Sequence, residues 1–106
     1  MSSITERRAT LTALVSLSEQ MLECARKGEW DAVPVLETQR REGLEAFFSN
    51  ATLPEEAAFI EPALEGILEI DRQLIELATE SREVAAAKLK DLQQGRRAQS
   101  AYNSNR

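Results

Sequence analysis

The sequence predicts an all-α protein, an antiparallel helical hairpin followed by a long third helix, arranged as an open three- to four-helix bundle. Three observations predict it. Apolar residues recur at three- and four-residue steps through most of the 106 residues, the spacing that places them on one face of a helix. The pattern breaks at Gly28 and again from Ser49 to Thr52, where residue types that favour turns gather. No stretch alternates apolar and polar residues as a strand would.

The first helix is expected over residues 4–27. Ser3 and Glu6 have capping-box spacing, in which hydroxyl and carboxylate each satisfy a first-turn N–H. Ile4, Leu11, Leu14, Val15, Met21, Leu22 and Ala25 form its apolar stripe. Arg26 and Lys27 suit the negative end of the helix dipole. Gly28 can adopt the left-handed conformation that closes a helix. A second helix is expected over 31–48, with Asp31 as N-cap and Pro34 in the first turn, where a missing N–H costs nothing. Trp30, Val33, Leu36, Leu44 and Phe47 supply the stripe, and Glu37, Arg41 and Glu45 form a charge ladder on the other side. A connection this short makes the two helices antiparallel neighbours.

Thr52 and Glu55 repeat the capping-box spacing beside Pro54, so a third helix is expected over 54–94. Pro62 inside it predicts a kink or short break near Ile60, because an internal proline removes a hydrogen bond and clashes with the preceding turn. From Ala63 the apolar pattern runs through Leu64, Ile67, Leu68, Leu74, Ile75, Ala78, Ala85, Leu89 and Leu92 without Pro or Gly between Ile67 and Gln94. One helix is the simplest reading, and a division near Thr79–Arg82 into a third and fourth helix is the alternative. Residues 95–106 read as a basic, partly flexible segment, and the whole chain as a single domain.

Composition excludes several functions. The chain has no histidine, which removes the commonest general base and metal ligand. Its four glycines, at 28, 43, 66 and 95, are too scattered to cradle a phosphate. With nothing to activate a serine, the expectation is no enzyme, no cofactor and no metal. Cys24 stands alone and suits a buried helix face better than a disulfide or a reactive thiol. No apolar run reaches the roughly 20 residues of a membrane span, and Met1 to Arg8 lack a basic segment leading into an apolar one. The expected compartment is therefore the cytoplasm, with no membrane insertion.

Charge is segregated. Residues 1–81 carry 7 Lys/Arg and 16 Asp/Glu, whereas residues 82–106 carry 6 and 2. The acidic body repels nucleic acid, and the basic segment is too thin in cations and aromatics to serve as an interface for it. The residues left to explain are apolar ones beside the main stripes: Leu17, Val35, Phe48, Ile70 and Leu77. They either widen the core, form a homodimer seam, or line a groove for a partner's amphipathic helix. The candidate partner-binding residues are Ile67, Leu68, Ile70, Leu74, Ile75 and Leu77. Arg96, Arg97 and Tyr102 are candidates for a regulatory tail. Heptad-like spacing through Leu64, Ile67, Asp71, Leu74, Ala78, Ala85 and Leu92 also allows a coiled-coil stalk, against which Asp71 argues.

The run A-R-K-G-E-W-D-A-V-P-V-L-E-T-Q-R-R, Ala25 to Arg41, resembles the hairpin of flagellar export chaperones of the FliT type, which have a Gly-x-Trp turn, then Leu-Glu and an arginine. The ending G-R-R-A-Q-S-A-Y, Gly95 to Tyr102, resembles that family's closing segment, although chaperones of the hook–filament junction proteins share a similar size and ending. Pro34 and Pro62 depart from the family pattern. The resemblance implies a cytoplasmic chaperone that binds the C-terminal helical region of the flagellar filament-cap protein, prevents premature assembly and delivers it to the type III export gate. It further implies contacts with the export ATPase and with a flagellar transcriptional activator, a regulatory segment near Arg82–Tyr102, and a cargo groove along the third helix.

Overall fold

A computed structural model describes residues 3–104. Helix α1 runs Ile4–Arg26, helix α2 Ala32–Phe48, and helix α3 Ala57–Ser104, entered through a 3-10 turn at Pro54–Glu56. No strand occurs among the described residues. The chain divides into two units, Met1–Ile75 and Glu76–Arg106.

Local chemistry accounts for the limits of α1. The Ser3 hydroxyl accepts from the Glu6 N–H at 3.1 Å, as its spacing predicts. At the other end Gly28 takes φ +77°, and the Glu29 and Gly28 amides donate to the carbonyls of Cys24 and Ala25 at 2.8 and 3.0 Å. That pair of bonds is a Schellman closure, which needs the left-handed conformation at Gly28. Two caps differ from expectation. Asp31 occupies the N-cap position of α2 but its side chain makes no capping bond. The tight turn does the work instead, with Ala32 and Val33 amides donating to the Glu29 and Trp30 carbonyls. Ahead of α3 the reciprocal carboxylate belongs to Glu56, not Glu55, and it accepts from the Leu53 amide at 2.8 Å, one residue beyond Thr52.

In the first unit the long-range contacts fix direction. Ser18 meets Arg40 and Arg7 meets the Phe47 carbonyl, so residue numbers fall on α2 as they rise on α1 and the hairpin is antiparallel. A Cβ at Gly43 would overlap the Leu14 side chain, so glycine is what lets α1 and α2 approach so closely there. The start of α3 lies across the hairpin. Leu11, Leu14 and Phe47 form the central cluster, with Leu17, Leu44, Phe59, Ile60 and Ala63 packed against it. Met21, Leu22, Ala25, Ile67 and Leu74 are also buried.

A kink or short break was expected near Ile60; helix α3 runs through Pro62 without a break. Pro62 is the sixth residue of that helix, and its absent N–H leaves the Ala58 carbonyl without an intrahelical partner. The helix also continues past residue 94 to Ser104, over the segment expected to be partly flexible, because Gln, Arg and Ala are good helix formers. It is not divided near Thr79–Arg82. Residues 105 and 106 of that segment lie outside the described residues.

Candidate partner-binding surface

The six apolar residues expected to meet a partner separate by side of the helix. Positions seven apart on a helix share a face. Ile67 and Leu74 form one such pair and are 5% and 8% exposed, turned into the core of the first unit. Their burial takes them out of any surface a partner could cover. Leu68 and Ile75 form the second pair, each 68% exposed. Ile70 is half-buried, and Leu77, in the second unit, is half-buried as well. Beside Leu68, Arg72 donates to both Glu69 carboxylate oxygens at 2.9 and 2.6 Å. That contact, then one from Gln73, holds the Glu69 carboxyl down to about 2. Within the second unit Arg96, Arg97 and Tyr102 are exposed on helix.

Two buried polar clusters, neither visible in the sequence, hold the frame of this surface. In the first, Arg40 on α2 donates to Asp71 on α3 at 2.8 and 3.2 Å and to the Ser18 hydroxyl on α1 at 2.9 Å. All three helices meet in one guanidinium, a bidentate geometry that lysine could not reproduce. In the second, Arg7 is ion-paired with Glu56, donates to the Phe47 carbonyl at 3.3 Å, and lies 4.1 Å over the Phe47 ring. One of its terminal nitrogens, Nη2, is buried without a hydrogen-bond partner.

Glu56 is 1% exposed. The Leu53 backbone N–H, and after it the Arg7 guanidinium, hold its carboxyl below the ordinary value of 4.5. A carboxyl lowered on folding stabilises the native state above its unfolded value and loses that contribution as pH falls through the lower folded value. Stability should therefore fall with acidification below about pH 5, and Glu56→Gln should flatten that part of the profile. Denaturant titrations at a series of pH values would show it, and an unchanged acid slope in the variant would assign the slope to other carboxyls.

A further surface, not expected as a unit, is a shallow groove of about 470 Å³ between α1 and α2, lined by Gln20, Glu23, Cys24, Ala32, Val35 and Leu36. Val35 is 59% exposed there and Cys24 is half-buried, more open than the buried helix face its neighbours suggest. The only signal for it in the sequence was Val35 standing outside the α2 stripe, because each helix contributes just part of the lining.

Among the described residues no group of three His, Cys, Asp or Glu could hold a metal ion, and no helix is long and apolar enough to cross a membrane. The arrangement offers apolar helix faces framed by ion pairs, which suits binding another protein's helix. Against models of known families, residues 8–105 match the family described as flagellar protein FliT. No curated protein and no solved structure gives a significant match.

Proposed function

This chain belongs to the FliT family of flagellar chaperones, and from that premise we propose that it is the export chaperone of the filament-cap protein. It would bind the cargo's C-terminal helical region in the cytoplasm, block premature assembly, and deliver it to the export ATPase and gate. The single observation that best supports a helix-binding role is the exposure of Leu68 and Ile75, each 68%, on a helix whose Ile67 and Leu74 are spent on the core. An amphipathic cargo helix laid along Leu68 and Ile75 removes apolar surface from water at about 25 cal/mol per Å². The basic segment with Arg96, Arg97 and Tyr102 is the candidate regulator of access, and of contact with a flagellar transcriptional activator.

The test is co-purification and affinity with the C-terminal region of the filament-cap protein from the same genome. Leu68→Asp with Ile75→Asp should weaken the complex by about a hundredfold while leaving the melting of the hairpin core intact. Truncation after Arg82 should strengthen binding if the segment restricts access. No complex with any variant would discard the filament-cap assignment and turn attention to the hook–filament junction proteins.

A further inference from the structure

The exposed pair Leu68 and Ile75 lies on a strip of α3 whose two borders differ. Asp71 turns to α2, where it meets Arg40, and Gln73 turns to α1, where it accepts from Arg26 at 3.3 Å. Between those two sides stand first Leu64, Ile75 and Leu68, and then Glu61, Glu65 and Glu69, neighbours at steps of three, four and seven. An apolar strip therefore runs beside α2 with a row of carboxylates along its other border. Glu61, Glu65 and Glu69 are all exposed and stand four apart, where like charges destabilise a helix. The cations that border the strip are already taken: Arg40 pairs with Asp71, Arg41 with Glu37 and Arg72 with Glu69. Among the described residues neither Glu61 nor Glu65 has an ion-pair partner.

We propose that this strip selects an amphipathic helix bordered by lysine or arginine, two of its cations, one turn apart, meeting Glu61 and Glu65. The proposal rests on reading Leu68 and Ile75 as the helix-binding surface, and it adds the charge that the bound helix must carry. Leu68 and Ile75 offer apolar contact that many amphipathic helices could use, so they supply affinity with little discrimination. Discrimination falls to the carboxylates. A helix with cations on that border relieves the repulsion along the row, whereas one with Asp or Glu there brings like charges together as both sides lose water. Because the nearby arginines are engaged with Asp71, Glu37 and Glu69, the compensating charge for Glu61 and Glu65 comes from the bound helix.

Two synthetic helical peptides with the same leucine stripe, bordered by lysines in one and by glutamates in the other, test it by fluorescence anisotropy with the full chain at low and high salt. The lysine peptide should bind about tenfold more tightly at low salt, and the gap should narrow as salt screens the charges. Glu61→Gln with Glu65→Gln should reduce the gap to about threefold. Glu19→Gln with Glu29→Gln, the same change of net charge placed elsewhere, should leave it at about tenfold. All four carboxylates are exposed, so the core of the first unit should melt no lower in either variant. Leu68→Ser with Ile75→Ser should weaken both peptides. Equal affinity for the two peptides, a preference that survives Glu61→Gln with Glu65→Gln, or one that falls as much with Glu19→Gln and Glu29→Gln would overturn the charge selection. If Leu68→Ser with Ile75→Ser still weakened binding in those cases, the apolar surface would stand alone. Binding indifferent to Leu68 and Ile75, or no binding of either peptide, would overturn the surface together with the proposal.

Discussion

Replacing Phe47 with alanine is expected to lower the free energy of unfolding by about 3–5 kcal/mol. Phe47 is 4% exposed and touches Leu11 and Leu14, themselves 1% and 5% exposed, at the centre of the first unit. It also meets Phe48 edge to face, centroids 4.9 Å apart at 80°, and carries the Arg7 guanidinium on its ring. The substitution thus opens a cavity and strips a desolvated cation of its aromatic partner in one step. Small domains are stable by only about 5–15 kcal/mol, so the substitution removes a large share of the total. Denaturant unfolding checks this, with Phe48→Ala as the control. Phe48 is 43% exposed, and its loss should cost under about 1.5 kcal/mol.

Arg40→Ala is expected to cost about 2–3 kcal/mol, less than the roughly 3–5 kcal/mol for breaking a fully buried pair, because solvent reaches part of Asp71. The side chains of Arg40 and Asp71 are 11% and 34% exposed. What the variant loses is chiefly compensation. Asp71 keeps a half-covered charge, and Ser18, 0% exposed, retains only a long bond to the Leu14 carbonyl at 3.4 Å. Removing both ends together, as Arg40→Met with Asp71→Leu, should restore most of the stability, since apolar replacements of buried pairs are often neutral. A double-mutant cycle separates the two cases. A double variant as unstable as the sum of the single ones would mean that the pair contributes no coupling.

These two arginines also show where reading the sequence stops. Helix existence was legible because Leu11, Leu14, Met21 and Leu22 repeat at helical spacing, and Ser3 and Gly28 act through bonds to residues a few positions away. Arg7 and Arg40 look like ordinary exposed cations in the sequence. Their partners Glu56 and Asp71 lie 49 and 31 positions away, and only the packed helices bring them together. The heptad-like spacing through Asp71 is open to a similar account. Asp71 interrupts that seam because it faces Arg40. The kink or short break expected near Ile60 rested on Pro62 alone, and α3 runs through that proline without a break. The candidate surface was legible as a set and not residue by residue. Periodicity groups Ile67 with Leu74 and Leu68 with Ile75, but which pair turns inward is decided by the hairpin against which α3 packs.

Arg7 has one more consequence. The connection from α2 to the 3-10 turn, Ser49 to Leu53, is exposed throughout and has the composition proteases favour. Yet one guanidinium from α1 holds both of its ends, through the Phe47 carbonyl before it and Glu56 after it. A protease must draw several residues of extended chain into its cleft, and this loop has little slack to give. Exposure alone therefore overstates how readily it can be cut, and nicking here reports the release of Arg7.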